Sequence, residues 1–208
     1  HSGAVFAVSA EAFGLARVAR APCVVAPGPA LAVDPSRLSP VEALRRSACG
    51  MLDLDYRPYS WTSDEDARTV YFAAIEACDV IVGNDEEFGL LAGSIEAGKA
   101  LAKRMAIERP GRLVIYKMGG DGSVTFDGQA AFETPIYPVN MLKPFGAGDA
   151  FMGGVLASLV AGKSVPDAVD FGSAAAAMVV ATRGCASAMP TTAEVQAFIA
   201  ARRPKAGG

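Results

Sequence analysis

Three short apolar runs, each followed by a polar or glycine turn and the first two then by a helical pattern, constrain this chain more than anything else in it. The runs are residues 50–54 (GMLDL), 79–83 (DVIVG) and 112–117 (RLVIYK). Runs this short, apolar almost throughout, suit strands buried on both faces of a parallel sheet. The stretches between them carry helix-start chemistry. Ser63 precedes Asp64-Glu65-Asp66, and Asn84 precedes Asp85-Glu86-Glu87. Ser and Asn cap helix N-termini, and acids in the first turn oppose the helix dipole.

The rest of the chain fits around that alternation. Residues 23–25 (CVV) predict a short first strand. The stretch 27–40, rich in Pro and Ser, predicts a connector, with Ser39 as N-cap and Pro40 at the first turn of the next helix. A helix is expected within 4–20 and another over about 94–106. Residues 123–126 and 130–133 predict a hairpin around Asp127-Gly128. Helices are expected over about 148–161, 166–181 and 191–202. The pattern predicts an α/β fold, a mostly parallel sheet with helices on both faces. In such sheets ligands sit beyond the carboxyl ends of the strands. The loops at 53–58, 83–87 and 117–122 should therefore converge on one edge.

Composition narrows the function. With 19 Lys+Arg against 22 Asp+Glu, the net charge of -3 offers no footprint for nucleic acid. The two longest uncharged stretches, 150–162 and 171–182, fall short of the roughly 18–20 residues a membrane helix needs. Cysteines at 23, 49, 78 and 185 form no CxxC pair, and the single histidine is residue 1. This argues against a Cys/His zinc site and against a histidine-based nucleophile pair. Scattered cysteines and the lack of a signal-peptide pattern are expected for reduced thiols in a cytoplasmic protein.

The segment richest in chemistry is Lys143-Pro144-Phe145-Gly146-Ala147-Gly148-Asp149. Two glycines lead directly into a long apolar helix. Its first amide N–H groups have no intrahelical acceptor and form an anion site. Asp149 admits two readings at this point. It could be the N-cap of the helix, or a general base beside an anion hole that receives charge from a phosphoryl group. No GK[ST] follows, which excludes a Walker loop, and no early GxGxxG marks a dinucleotide site.

Gly146-Ala147-Gly148-Asp149-Ala150-Phe151, followed by Gly153-Gly154, resembles the signature of the ribokinase-like (PfkB-type) carbohydrate kinases. Three further segments agree in order. Asn84–Glu87 resembles an N-x-x-E motif after a strand. Lys117–Gly122 resembles a K-x-G-x-x-G nucleotide turn. Residues 173–177 (SAAAA) resemble a small-residue helix that packs against adenine. The resemblance implies a single three-layer α/β/α domain over 1–208. Residues 50–208 would be its nucleotide-binding and catalytic part, and 1–49 a poorly matched N-terminal part with its lid reduced or missing.

It also implies roles. Asp149 would be the base on a sugar hydroxyl, with Gly146, Ala147 and Gly148 as the anion hole. Asn84, Lys117, Gly119, Gly122, Ser173 and Ala177 would bind ATP. Asp55 and Arg57 would face the substrate, and Glu87 would help hold Mg²⁺ through water. Plain structural readings stand beside these: dipole complementarity for Glu87, a solvated strand end for Lys117, close helix packing for 173–177, an ion pair with Asp53 or Asp55 for Arg57. A monovalent cation near 183–187 and a homodimer are further implications. Within the family, residues 53–61 and 139–144 most resemble members that act on a keto-deoxy sugar acid, and that resemblance implies such an acid, for example 5-dehydro-2-deoxygluconate, as acceptor. Phe145 stands where the family has a small hydroxyl residue. With the missing lid, it leaves open a nucleotide- or sugar-binding module that does not transfer phosphate.

Overall fold

The computed structural model describes residues 18, 20–32, 37–143, 145–184 and 189–202. The helix expected within 4–20 lies outside these residues except for 18 and 20. Six strands form one sheet in sequential order: β1 (Val24–Pro27), β2 (Gly50–Asp53), β3 (Val80–Asn84), β4 (Leu113–Lys117), β5 (Ser123–Asp127) and β6 (Ala130–Thr134). The first four run parallel, and β5 pairs antiparallel with β4. Seven α-helices occur among the described residues: α1 (Leu38–Arg46), α2 (Asp64–Ile75), α3 (Asp85–Ala92), α4 (Ile95–Glu108), α5 (Ala147–Val160), α6 (Val165–Val180) and α7 (Thr192–Arg202).

The chain divides into two compact units. The first contains β1–β5 with α1–α4; the second contains Gly120–Gly122 and the chain from Glu133 onward. In the first unit, alternate strand residues Leu52, Leu54, Ile81, Val114, Tyr116, Val124 and Phe126 meet Tyr71 and Ile75 of α2, Phe88 and Leu91 of α3, and Leu101 and Met105 of α4. The intervening strand residues Met51, Val82 and Ile115 are fully buried too. Both faces of the sheet are therefore dry along β2 to β4, which is why those strands read as continuous apolar runs. The second unit has its own core, where Ala150, Phe171, Ala174, Ala175 and Val179 pack with Val195 of α7.

The helix starts show which local signals governed. Ser63 caps α2, its hydroxyl accepting from Asp66 N–H at 3.1 Å. Asn84 caps α3 in a reciprocal box with Glu87. Ser39 is a correction: α1 begins at Leu38, two residues earlier than expected, with Arg37 as its N-cap. The Arg37 guanidinium pairs with Asp66 and bonds Leu31 O and Ala32 O, which draws the helix start forward and leaves Ser39 buried. The hairpin also shifts, its turn falling on Gly128-Gln129 with Asp127 still in the strand.

Helices α5 and α6 approach closely through glycines. A Cβ on Gly172 would lie 2.7 Å from Val155 Cγ2 and 2.8 Å from Phe151 O, whereas one on Gly153 would meet nothing within 4 Å. Alanine raises helix propensity by about 0.5–1 kcal/mol, but overpacking costs about 1–3 kcal/mol. Gly172→Ala should therefore lower stability, while Gly153→Ala should raise it by up to about 1 kcal/mol. Urea unfolding midpoints of the two variants will show whether they move in opposite directions.

Candidate active site

Parallel pairing sends the loops after β2, β3 and β4 out of one edge of the sheet, as the sequence pattern predicts. At that edge Asp53 lies in register with Val82, and Asn84 with Lys117. Asn84 and Lys117 are thus neighbours at the carboxyl ends of two adjacent strands, and the Lys117 charge acts on Glu87.

Glu87 organises this edge. Its Oε2 accepts Asn84 N–H at 2.7 Å, and its Oε1 accepts Tyr56 N–H at 3.0 Å. One carboxylate therefore closes the cap of α3 and also tethers the loop that follows β2. The group is only 7% exposed. Burial pushes its pKa up from the ordinary glutamate value, while Lys117 and the two amides pull it back.

The tethered loop carries Asp55 and Arg57. Asp55 has φ of 34°, the one non-glycine residue at positive φ among those described. Such a conformation costs energy, and aspartate tolerates it better than most side chains. Tyr56 after it is tied to Glu87, and Leu54 before it is fixed twice. Leu54 N–H donates to Val82 O at 2.9 Å, and the buried Tyr71 hydroxyl donates to Leu54 O at 2.6 Å. Arg57 forms an ion pair with Asp55 and stays half exposed. Trp61 is buried against Tyr71, with ring centroids 5.1 Å apart, and Tyr56 packs edge-on to the same ring. Trp61 is thus a core aromatic, and Tyr56 is a partly buried one at the rim of the same core.

After β4 the chain turns through a 3₁₀ segment, Gly119–Asp121. Gly119 and Gly122 both have positive φ, at 56° and 84°. A Cβ on Gly122 would sit 2.3 Å from Thr134 O, so this position requires glycine twice over.

In the second unit, Gly146 is the N-cap of α5, in the left-handed region at φ 86°, and no side chain caps the helix. The first helical bond is Ala150 N–H to Gly146 O at 3.0 Å. The amides ahead of it have no intrahelical acceptor. Asp149 therefore lies in the first turn, three residues past the cap, and its side chain is exposed. The N-cap reading of Asp149 is thereby excluded. Phe145 is 73% exposed beside this helix start. Ser173 donates to Pro135 O at 3.1 Å, and Leu142 N–H donates to Val180 O at 2.8 Å, so the strand-to-helix connection runs along α6. Ala177 lies one turn beyond Ser173 and is buried.

The first unit thus assembles Asp55, Arg57, Asn84, Glu87, Lys117 and Gly119. The second assembles Gly146, Ala147, Gly148, Asp149, Ser173 and Ala177, with Gly122 on its own segment. Pro144 and the loop at 185–188, where a monovalent ion is expected, lie outside the described residues. The tethering role of Glu87 is absent from sequence reasoning, since Tyr56 is 31 residues away. The capping-box spacing is its one local trace.

The profile of the pfkB family carbohydrate kinases matches residues 15–192. This chain belongs to that family. The match extends into the N-terminal part that motif comparison leaves poorly matched. Among curated proteins, the chain is 36% identical over 194 residues to the 5-dehydro-2-deoxygluconokinase of Geobacillus kaustophilus, covering 89% of this chain and 58% of that protein. It is 40% identical over 197 residues to the 5-dehydro-2-deoxygluconokinase of Photobacterium profundum, covering 90% and 59%. The chain therefore spans a little over half the length of these relatives. Among solved structures, the fructokinase of Vibrio cholerae O395, crystallised with fructose, ADP and calcium ion, superposes with a TM-score of 0.76 at 25% identity, over 85% of this chain and 60% of that one. The fold is the α/β fold of these kinases. Among the described residues, no helix is long and apolar enough to cross a membrane.

Glutamine at position 87 can accept only one of the two amides and turns a donor toward the other. An unpaired buried donor costs about 1–3 kcal/mol. Glu87→Gln should lower the urea midpoint accordingly and speed hydrogen exchange at the Tyr56 and Asn84 amides. Unchanged exchange at both amides would show that the tether contributes nothing.

Proposed function

We propose that this chain carries the nucleotide-binding and catalytic part of an ATP-dependent sugar kinase. It transfers the γ-phosphoryl group of ATP to a hydroxyl of a sugar or keto-deoxy sugar acid. The name shared by the curated relatives makes 5-dehydro-2-deoxygluconate the first acceptor to test. That acceptor belongs to inositol catabolism, and ATP as donor implies a cytoplasmic reaction.

The observation that carries this reading is the start of α5: a left-handed glycine entry, no side-chain cap, and an exposed carboxylate in the first turn. Phosphoryl transfer asks for positioning and charge stabilisation more than for covalent help. In this reading Asp149 accepts the proton from the attacking hydroxyl. The amides contributed by Gly146, Ala147 and Gly148 receive the negative charge spread over the transferred group. Asn84, Lys117, Gly119, Gly122, Ser173 and Ala177 hold the nucleotide. Asp55 and Arg57 face the acceptor on the loop that Glu87 tethers.

Magnesium, when bound, would neutralise phosphate charge. Each oxygen of Glu87 already accepts one backbone amide, so in this reading its remaining lone pairs reach the ion through a water molecule. Among the described residues, no group of three His, Cys, Asp or Glu side chains could cage a metal. The ion would therefore have to arrive with the nucleotide phosphates and keep water ligands, as magnesium commonly does.

General-base catalysis contributes about 10²–10⁴-fold. Asp149→Asn should reduce ADP release with the sugar acid by that factor and leave ATP affinity, measured by calorimetry, unchanged. Undiminished turnover would sink the assignment of Asp149. ATP binding by the wild-type chain, with no phosphorylated product across a panel of sugars and sugar acids, would favour the binding module.

A further inference from the structure

The amino-terminal edge of the sheet, opposite the edge just described, carries three cysteines. Cys23 immediately precedes β1, Cys49 immediately precedes β2, and Cys78 lies two residues before β3. Parallel register sets Val24 beside Gly50, and Val24 N–H donates to Cys49 O at 2.9 Å. Cys23 and Cys49 consequently fall side by side. Their Sγ atoms are 3.2 Å apart, with Cys23 donating to Cys49, and both residues are partly exposed. Cys78 differs: it is fully buried, and its thiol donates to Ala74 O at 3.0 Å.

Backbone spacing permits a covalent link. Adjacent strands lie about 4.8 Å apart, inside the roughly 4.4–6.8 Å Cα separation that disulfides span. Local structure also fixes the two positions. Asp79 accepts Gly50 N–H at 2.9 Å and pairs with Arg109 at 2.9 Å, which anchors the start of β2 beside β3.

We propose that Cys23 and Cys49 form a dithiol site that undergoes exchange with low-molecular-weight disulfides of the glutathione type, closing a cross-strand disulfide between the starts of β1 and β2. The order of attack follows from the hydrogen bond. Cys23 Sγ donates its hydrogen bond to Cys49 Sγ, and burial and that bond push the Cys23 thiol up to about 12, so Cys23 is held as the proton donor and the first attack falls to Cys49. The Cys49 thiolate attacks one sulfur of the external disulfide. A Cys49 mixed disulfide forms and one small thiolate leaves. Cys23 then gives its proton to that thiolate and attacks Cys49 Sγ, which breaks the mixed disulfide and releases the second small thiolate, and this takes up from solvent the proton that Cys49 had lost. Two protein thiols are oxidised to one disulfide, and the external disulfide is reduced to two thiols. The product closes a loop that contains α1, and it sits away from the edge that carries Asp55, Asn84 and Lys117.

The test uses the whole 208-residue chain. The protein is incubated with glutathione disulfide, quenched with acid, alkylated with N-ethylmaleimide and mapped by proteolysis and mass spectrometry. The expected result is joint loss of alkylation at Cys23 and Cys49, a cross-linked pair of peptides containing them, and full reversal by dithiothreitol. Cys23→Ser should stop at glutathione on Cys49, and Cys49→Ser should leave Cys23 unmodified. Retention of both alkylated thiols in the wild-type chain would overturn the proposal. So would a cross-link from either residue to Cys78 or Cys185, or glutathione on Cys23 in the Cys49→Ser variant. The wild-type map needs no substitution, so a variant that misfolds does not blunt the test.

Discussion

Parallel pairing of β1 to β4 is the constraint on which the rest depends. Once four neighbouring strands run the same way in consecutive register, every following loop must leave from one edge and every preceding residue must gather at the other. The chain separates its chemistry accordingly. Carboxylates, a lysine and an asparagine collect at the carboxyl edge, and three thiols collect at the amino edge. Each grouping draws on segments far apart in sequence. Both faces of the sheet are buried along β2 to β4, so on these strands the side chains at the ends are the ones left to meet solvent and ligands.

Glu87 converts that crowding into order. A buried carboxylate is costly unless each lone-pair direction finds a donor. Here the donors are the backbone amides of Asn84 and Tyr56, on two different loops. Satisfying the charge therefore joins the start of α3 to the loop after β2. The same tether supports Asp55 at positive φ, together with the Tyr71 hydroxyl bond to Leu54 O. Strain at Asp55 persists because bonds on both sides over-determine it. The start of α5 works in the opposite manner. Its glycine cap supplies no side-chain acceptor to the first amides, and Asp149 in the same turn is exposed.

Much of the fold was legible in residue order. Ser63 and Asn84 were readable as caps because each places an acceptor beside an amide three residues on. Ser39 misled because Arg37, bonded to Asp66 and to two carbonyls, sets the start of α1 through contacts that reach 29 residues away. The site divides in the same way. Asp149 beside two glycines announces itself within a few residues. The attachment of Glu87 to Tyr56 and of Arg57 to Asp55 depends on how loops fold back, and both admit other partners from spacing alone.

What the sequence determined by itself is local: the alternation of buried strands and capped helices, the glycine-led start of α5, and the motifs that place the chain in its family. These follow from hydrogen bonds and periodicities that act within a few residues. What only the tertiary structure decided is adjacency across the sheet: Asn84 beside Lys117, one carboxylate holding two loops, and Cys23 against Cys49. Strand register sets those contacts, and register is settled by the burial of both sheet faces at once, a property of the assembled core and of no single segment.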